Sequence, residues 1–270
     1  MKILFLRPDS NIHTAPPPMG LLTLAGYIRE KGGYKDISIV DGRAQVMSAE
    51  QLRPRIKDEK PDFIGITSFS VDRRQAHELA KVCKEEYPDV PLAIGGPYTT
   101  NEWREAVADP NIDYAVVGEG EVTLLDLLKS LEKGERHPEI KGLAYQQNGK
   151  PVFFGFPDFI QDLDDIPMSA WDLVDLPFYF RNRKKRATMN IHIKSTWCVP
   201  IFTTRGCPYQ CTYCHDIFGK KIRKRSVDHV ITELKYLKDT YGLKEIDIID
   251  DIFNLDLPRA KEICDRMVAE

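Results

Sequence analysis

The first half of the chain alternates short apolar runs with amphipathic stretches of helical period. The apolar runs predict five strands, at Ile3–Leu6, Ile37–Val40, Phe63–Thr67, Leu92–Ile94 and Tyr114–Val117. Strands that alternate with helices favour a doubly wound parallel sheet, because the crossover helices cover the faces of the sheet. The sequence therefore predicts an α/β domain over residues 1–137, with a five-stranded parallel sheet of the flavodoxin-like or Rossmann-like class.

Small and hydroxyl-bearing residues directly follow three of the predicted strands. In an open parallel sheet, ligands bind outside the carboxyl ends of the strands. Glycine there lets a ligand approach the backbone, and a hydroxyl offers a hydrogen bond. The three strand-end sets are, in chain order, Ser68 and Ser70, then Gly95, Gly96 and Pro97, then Gly118, Glu119 and Gly120. They predict a ligand cleft at this edge; the alternative is that the glycines only end strands and begin turns.

The pattern changes after residue 137. Asn148-Gly149 separates two apolar runs and predicts a hairpin with a type I′ turn. A Pro- and Asp-rich stretch at 162–167 then indicates a linker. A second alternation of strand and helix begins near Pro200. We therefore expect a hairpin and linker over residues 138–195, and a further α/β segment over residues 196–270.

Three of the six cysteines fall within eight residues, directly after a predicted strand. Cys207, Cys211 and Cys214 would supply soft thiolate ligands from one short loop, which suits three irons of a cubane iron–sulfur cluster. The fourth iron would then keep an open position that can bind a substrate. The alternatives are a structural zinc site with His215 or Cys198 as its fourth ligand, and three unligated cysteines. Zinc sites usually pair two separated clips, and this sequence has one.

Charge and hydropathy exclude several classes of partner. The formal net charge is -3, and the one basic run, at 181–186, predicts a solvated loop rather than a nucleic-acid contact. No segment approaches the ~18 apolar residues of a membrane span, and the apolar run at the N-terminus is too short for a signal peptide. We therefore expect a cytoplasmic protein with a small-molecule substrate. In that compartment, clustered cysteines favour metal binding or catalysis over disulfides.

The cysteine loop resembles the signature of radical S-adenosylmethionine enzymes. Its sequence, Arg-Gly-Cys-Pro-Tyr-Gln-Cys-Thr-Tyr-Cys over residues 205–214, has the C-x₃-C-x₂-C spacing and the aromatic residue before the third cysteine. The resemblance implies a 4Fe-4S cluster on Cys207, Cys211 and Cys214, whose open iron binds S-adenosylmethionine. One electron, from a donor such as flavodoxin or ferredoxin, would then yield methionine and a 5′-deoxyadenosyl radical that abstracts hydrogen from the substrate.

Three further residues correspond to positions that contact S-adenosylmethionine in this family. By resemblance, Tyr213 would lie against the adenine. Asp250 and Asp251 end the next predicted strand, where the family binds the methionine ammonium. A carboxylate is a suitable partner for that charge. Many members have Gly-Gly-Glu at this place, so the alternative is that both aspartates are solvated acids at the end of a strand.

The N-terminal residues resemble the cobalamin-binding domain that precedes this barrel in one large subfamily. The segment Pro-Pro-Pro-Met-Gly-Leu-Leu-Thr-Leu-Ala at 16–25 carries the resemblance, together with the three strand-end sets. The resemblance implies that the sets line the cleft for the corrin edge and the nucleotide tail. A proline-rich turn would approach the lower face of the cobalt through Pro17, Pro18, Met19 and Gly20. No D-x-H-x-x-G motif is present, so we expect no histidine ligand to cobalt and interpret His13 as a loop residue.

Together the two resemblances imply a cobalamin-dependent radical S-adenosylmethionine enzyme, in the first place a methyltransferase acting on an unactivated carbon or phosphorus centre. The alternatives are a non-methylating cyclase or rearrangement enzyme, a cobalamin-binding module with a structural metal site, and a flavodoxin-like domain whose cluster passes electrons. The family's (β/α)6 barrel has more strand–helix units than the two found at 196–270. We therefore expect a partial barrel and a fragment inactive by itself, with Ile263, Met267 and Val268 exposed.

Overall fold

The computed structural model describes residues 1–10, 15–182, 193–215 and 217–270. His13 and most of the basic run at 181–186 lie outside the described residues. The chain divides into two compact units. The first comprises Met1–Ile12, Gly20–Asp158 and Ser169–Leu173, and the second comprises His13–Met19, Phe159–Met168 and Val174–Glu270.

A seven-stranded sheet forms the centre of the first unit. Its strands are β1 (Ile3–Arg7), β2 (Ile37–Asp41), β3 (Phe63–Thr67), β4 (Leu92–Gly95), β5 (Tyr114–Val116), β6 (Leu143–Gln147) and β7 (Lys150–Phe153). Their spatial order is β2-β1-β3-β4-β5-β6-β7. The first five strands pair in parallel, which confirms the predicted doubly wound α/β class.

The predicted hairpin extends this sheet instead of standing apart from it. β6 pairs antiparallel with β5, and its residues Leu143, Ala144 and Tyr145 are buried. Asn148 and Gly149 both have positive φ, as a type I′ turn requires. Without β6, the edge of β5 would present unpaired backbone groups, and the apolar residues of β6 would be left in water. The sheet therefore has two antiparallel strands in addition to the five predicted.

The helices of the first unit follow its strands in the predicted alternation. They are α1 (Met19–Gly32), α2 (Gly42–Gln45), α3 (Ala49–Glu59), α4 (Arg73–Glu86), α5 (Pro97–Ala108) and α6 (Gly120–Glu132). α3 begins at a capping box, in which the Ser48 N–H donates to the Gln51 side chain at 2.9 Å and the Gln51 N–H donates to Ser48 Oγ at 3.4 Å. On α4, Leu79, Ala80 and Cys83 are fully buried in the core that also contains the strand residues.

The second unit contains one β-α-β unit followed by a further helix. Its elements are α7 (Leu176–Asn182), β8 (Cys198–Ile201), β9 (Thr204–Arg205), β10 (Arg223–Lys224), α8 (Val227–Tyr241), β11 (Glu245–Ile248) and α9 (Leu257–Ala269). β8 and β11 pair in parallel, with α8 between them along the chain, as strand–helix units of a barrel do. β9 pairs antiparallel with β10, and this pair closes the base of the loop at 206–222, which holds the three clustered cysteines.

The last helix differs in part from the expectation. Ile263 is fully buried, because α9 packs against α8, so the prediction that Ile263 is exposed was wrong. Met267 and Val268 are exposed, at 42% and 90% of their surface. Among the helices that the structure describes, α9 included, none is long and apolar enough to cross a membrane.

Candidate functional site

The third and fourth strands end side by side at the predicted ligand edge. The Ser68 N–H donates to the Gly95 carbonyl at 2.9 Å, and the Tyr98 N–H donates to the Ser68 carbonyl at 3.1 Å. Gly96 has φ +102°, and a Cβ there would meet the Ser68 carbonyl oxygen at 2.7 Å. Because only glycine fits this approach, the backbone of β4 can come close to the backbone that follows β3. The structure thus brings the first two strand-end sets together through main-chain contacts.

The third strand-end set joins them through threonines at the start of α5. Thr99 Oγ1 donates to the Val116 carbonyl at 2.6 Å, and the Gly118 N–H donates to Thr100 Oγ1 at 3.1 Å. Gly118 has φ +77°, and a Cβ added there would lie 3.1 Å from the Pro157 side chain. All three sets therefore lie at one edge of the sheet, as the parallel pairing of β3, β4 and β5 requires.

The residues of the three strand-end sets differ in their exposure to solvent. Ser68 is fully buried and its hydroxyl donates to Asp72 at 2.9 Å, while Glu119 is 5% exposed. The partly exposed members are Ser70, Gly95, Gly96, Pro97, Gly118 and Gly120. The Ser68 hydroxyl therefore holds the loop after β3, and the partly exposed residues are those that a ligand can reach in this structure.

Two buried ion pairs support the same edge, and the sequence reasoning missed them. Arg7 ends β1 and donates through Nε to Asp41 at 2.8 Å, and Arg43 pairs with Asp72. None of the four residues is more than 5% exposed. Burial, together with the like charge of Arg7, lowers the pKa of Arg43, and burial raises the pKa of Asp72. The available signal was a charged residue at the end of an apolar strand, at both Arg7 and Asp41.

The proline-rich segment before α1 is mostly covered. Pro17, Pro18 and Met19 are buried, and the Met19 N–H donates to the Pro17 carbonyl at 2.9 Å. Gly20 is exposed, and a Cβ added there would meet nothing within 4 Å. Contact between this turn and a ligand stays a prediction, and so does the interpretation of His13, which lies outside the described residues.

The loop that carries the three cysteines is fixed at its base by backbone contacts. The Cys207 N–H donates to the Gly219 carbonyl at 3.2 Å. Gly206 has φ +87°, and a Cβ there would lie 2.5 Å from the Lys221 carbonyl oxygen and 2.9 Å from the Phe218 carbonyl oxygen. Because these carbonyls converge on Gly206, no other residue fits at the start of the cysteine motif. The returning half of the loop therefore sets the position of Cys207.

The three thiols are reduced and reachable from solvent. Cys207 is partly exposed, Cys211 and Cys214 are exposed, and none of them forms a disulfide. The Cys214 N–H donates to the Cys211 carbonyl at 3.1 Å, so the last two cysteines share one turn. In the described residues, no three His, Cys, Asp or Glu side chains are gathered to hold a metal ion. The donor set fits an iron–sulfur cluster, because three accessible soft thiolates on one loop are the ligands it needs.

Neither candidate fourth zinc ligand joins the three thiols in the described part of the chain. Cys198 lies in β8 and is 2% exposed. His215 instead approaches an aspartate at the end of β11, with Nε2 3.3 Å from Asp251 Oδ1. Neither residue therefore completes a site in this structure, where the three thiols themselves are not gathered either.

The residues predicted to contact S-adenosylmethionine differ in their surroundings. Tyr213 is 90% exposed, and a hydrogen bond with the Cys211 thiol raises the pKa of Tyr213. Asp250 accepts hydrogen bonds from Thr203, whereas Asp251 lies next to His215. Tyr213 is part of the cysteine motif itself. Asp251 lies beside His215, the residue that directly follows the motif. Asp250 is turned to the segment that precedes the motif.

Comparison with known proteins assigns the N-terminal half of the chain. Residues 10–128 match the B12 binding domain family. The match begins just after β1 and extends into α6, so it includes all three strand-end sets. It confirms the predicted resemblance to a cobalamin-binding domain, and the predicted bounds, 1–137, stay a prediction.

Curated relatives match nearly the whole chain. An uncharacterised methyltransferase of Pyrococcus horikoshii is 34% identical over 100% of this chain and 58% of its own length. The cytidylyl-2-hydroxyethylphosphonate methyltransferase of Streptomyces wedmorensis is 28% identical over 97% and 57%, respectively. The anaerobic magnesium-protoporphyrin IX monomethyl ester cyclase of Rubrivivax gelatinosus is 27% identical over 99% and 48%. The chain therefore spans between 48% and 58% of the length of these relatives.

A solved structure shares the fold. The radical S-adenosylmethionine methyltransferase TsrM from Kitasatospora setae, solved with tryptophan and a S-adenosylmethionine analogue, matches this chain with a TM-score of 0.77. The match covers 99% of this chain and 51% of that one, at 19% sequence identity. The likeness establishes the fold of the chain, including the β-α-β unit that follows the B12 binding domain.

Proposed function

We propose that the chain is a B12-binding radical S-adenosylmethionine protein and that it works as a cobalamin-dependent radical methyltransferase. Cobalamin would bind to the first unit and a 4Fe-4S cluster to the second. The substrate would be a small molecule with an unactivated carbon or phosphorus centre. The relatives from Pyrococcus horikoshii and Streptomyces wedmorensis, both named methyltransferases, support this proposal.

The observation that carries the proposal is the cysteine loop. Three reduced, solvent-accessible thiols lie on a loop whose base is closed by β9 and β10. The loop itself offers no fourth cysteine. A cluster held by Cys207, Cys211 and Cys214 would therefore keep one coordination position for S-adenosylmethionine. A closed structural metal site needs a fourth protein ligand and has no comparable support.

The chain's own residues would hold the cofactors and leave the difficult chemistry to them. When bound, the cluster supplies the electron that cleaves the sulfonium of S-adenosylmethionine, and cobalamin supplies the methyl group. Gly206 lets the loop turn tightly before the first thiolate, and Tyr213 offers an aromatic face to the adenine. The carboxylates at the end of β11 offer a partner for the methionine ammonium.

Cobalamin would lie against the edge formed by the three strand-end sets. The glycines at 95–96 and 118–120 let the corrin approach the backbone, and Ser70 offers an accessible hydroxyl. The sequence has no D-x-H-x-x-G motif, so the cobalt would receive no histidine ligand from the protein. Cobalamin bound to this protein should therefore show the spectrum of a form without histidine coordination.

A second reaction class is favoured by the cyclase from Rubrivivax gelatinosus, which is 27% identical over 99% of this chain. Cyclisation would use the same two cofactors without net methylation of the substrate. The two reactions separate on their products. Methyl transfer would consume two molecules of S-adenosylmethionine, one giving S-adenosylhomocysteine and the other giving methionine and 5′-deoxyadenosine. Cyclisation would give methionine and 5′-deoxyadenosine without S-adenosylhomocysteine.

The proposed cofactors also imply a protein that donates electrons and a reducing cellular compartment. A cluster that cleaves S-adenosylmethionine reductively needs a one-electron donor, and we propose a flavodoxin or a ferredoxin. All six cysteines are free. Free thiols and an exposed cluster loop persist in a reducing compartment, which is why we place the protein in the cytoplasm.

Metal and cofactor analysis of the anaerobically reconstituted protein tests this proposal. We expect a brown protein with about four irons and four sulfides per chain, and we expect it to bind cobalamin. Alanine at Cys207, Cys211 or Cys214 should remove the colour. Cys264→Ala is the matched control, because Cys264 is exposed on α9, outside the loop. A colourless protein that contains zinc, or equal iron loss in the control, would contradict the proposal.

A further inference from the structure

The two aspartates that follow β11 are neighbours in sequence but differ in what they bind. We propose that Asp250 is a positioning residue that fixes the entry to the cysteine loop, and that Asp251 is the one that receives the ammonium of S-adenosylmethionine. This inference rests on the proposed function, and it names which residue of the pair serves which role. The geometry of each carboxylate carries it.

The Asp250 carboxylate is engaged with the segment between β8 and β9. Its Oδ1 accepts from the Thr203 N–H at 2.6 Å and from the Thr204 N–H at 3.0 Å, and its Oδ2 accepts from Thr203 Oγ1 at 2.6 Å. Thr203 and Thr204 are 0% and 2% exposed. Two successive buried N–H groups thus depend on this one carboxylate, because a buried donor without a partner is costly. They lie only a few residues before Cys207.

Arg259 of α9 already supplies a positive charge to this arrangement. Its Nη2 donates to the Thr203 carbonyl at 3.0 Å, and its Nη1 lies 3.3 Å from Thr203 Oγ1. The same guanidinium donates through Nε to the Arg225 carbonyl at 3.1 Å. Arg259 is 9% exposed. A second cation at Asp250 would therefore meet the charge of Arg259 in a buried setting, where like charges repel strongly.

Asp251 has the opposite surroundings. The polar partner that the described structure gives its carboxylate is His215 Nε2, at 3.3 Å from Oδ1. His215 directly follows Cys214 in the sequence, and its side chain is 46% exposed. Asp251 therefore lies beside the residue next to the third thiol, with no buried backbone donor that depends on it in the described residues. Its carboxylate can exchange His215 for an ammonium without breaking the segment before the loop.

Two single substitutions separate the roles. In Asp250→Asn, the loss of the charged acceptor should loosen the loop entry, so the affinity for iron should fall roughly tenfold or more, as for other residues that orient metal ligands. The fraction that still carries a cluster should keep its spectral response to S-adenosylmethionine. In Asp251→Asn, iron content should equal that of the wild type, and that response should be lost. The readouts are iron per chain and the electron paramagnetic resonance spectrum with and without S-adenosylmethionine.

Far-ultraviolet circular dichroism and thermal unfolding of the iron-free variants serve as the folding control, because the substitutions lie in the second unit and cobalamin binding would report only on the first. If Asp250→Asn fails to fold, Thr203→Val replaces it. That variant loses the hydroxyl bonded to Asp250 and keeps both backbone donors, and we expect partial iron loss with the S-adenosylmethionine response retained.

Specific results would overturn the division of roles. Full iron content with a lost S-adenosylmethionine response in Asp250→Asn would show that Asp250 receives the ammonium. Iron loss in Asp251→Asn, or full iron content in Thr203→Val, would remove the positioning argument. If the wild-type protein itself takes up no iron, the proposed function fails together with this inference. If the wild-type protein loads iron and responds to S-adenosylmethionine, the proposed function stands, and a contrary result in the variants contradicts only the roles given to the two aspartates.

Discussion

The ligand edge of the first unit and the cysteine loop of the second unit are built in different ways. At the edge, backbone and side-chain hydrogen bonds join the ends of β3, β4 and β5, and two buried ion pairs lie beside them. In the loop, backbone contacts fix the base, while Cys211, Tyr213 and Cys214 are exposed. The edge is therefore shaped by the fold itself.

The difference indicates how each site depends on its cofactor. A site whose polar groups are already paired changes little when a ligand arrives. Ligands that are not gathered before metal binding gain their order from the metal, because binding and local folding are then coupled. We therefore expect the edge to be preformed and the tip of the loop to become ordered when a cluster is inserted.

Hydrogen exchange should reveal the largest contrast. Amides at 209–213 should exchange rapidly in the metal-free protein and become strongly protected when iron is loaded, because the cluster ties the loop at three points. The amides of Ser68 and Tyr98, which donate to backbone carbonyls, should be protected with or without cobalamin. The measurement is exchange followed by mass spectrometry. Equal protection of loop and edge in the metal-free protein would remove the contrast.

Breaking one buried ion pair should produce the next largest effect. Arg43→Leu leaves the Asp72 carboxylate buried without its cation, which should lower the free energy of unfolding by about 3–5 kcal/mol. Arg74→Leu is the matched control, because Arg74 is 87% exposed and pairs with Glu78 on the helix surface. That control should change stability by less than about 1 kcal/mol. Urea denaturation followed by circular dichroism measures both, and similar values for the two variants would contradict the prediction.

A methyl group at the close approach between strand ends should have a smaller effect. Gly96→Ala would place a Cβ 2.7 Å from the Ser68 carbonyl oxygen at φ +102°, and backbone strain of this kind costs about 1–3 kcal/mol. Gly149→Ala is the control that has the backbone strain without the close contact. Gly149 has φ +73°, and a Cβ added there would meet nothing within 4 Å. We expect lower stability and weaker cobalamin binding for Gly96→Ala, and only the smaller strain for Gly149→Ala. Thermal unfolding and cobalamin titration test this, and unchanged cobalamin affinity in Gly96→Ala would count against a preformed edge.

The smallest predicted effect is a pH dependence in the first unit. Burial by itself would raise the pKa of Asp109, but hydrogen bonds from Asn111 and His77 outweigh it and lower that pKa. A carboxyl whose pKa is lower in the folded state stabilises the fold above its unfolded pKa, and that stability is lost as the pH falls through the folded value. Below about pH 4, wild-type stability should therefore fall more steeply than that of Asp109→Asn. Parallel slopes in acid denaturation would show that these hydrogen bonds contribute nothing.

Much of the fold followed from local patterns. The five parallel strands were predictable because each is a short apolar run between helical stretches. The meeting of the strand-end sets then followed from parallel pairing alone. The pairing of β6 with β5 was not predictable, because the hairpin signal at Asn148 and Gly149 fixes the turn and leaves the partner of the hairpin open.

Site residues that are close in sequence could be predicted, and pairings between residues far apart in sequence could not. The spacing of Cys207, Cys211 and Cys214 singled out the loop, because ligand spacing within one loop is local. The pairing of Arg7 with Asp41 joins residues 34 positions apart and has no local signal. Asp250 and Asp251 are identical in type and adjacent, so their different partners become visible only when β11 is placed beside β8.

The central claim is that the metal centre on the cysteine loop has an open position that S-adenosylmethionine occupies. Electron–nuclear double resonance on the reduced, reconstituted protein, with S-adenosylmethionine carrying nitrogen-15 at its amino group, tests this claim most directly. We predict a hyperfine coupling between the cluster and that nitrogen in the wild type. A reduced iron–sulfur signal with no such coupling, or a centre that contains zinc, would contradict the account.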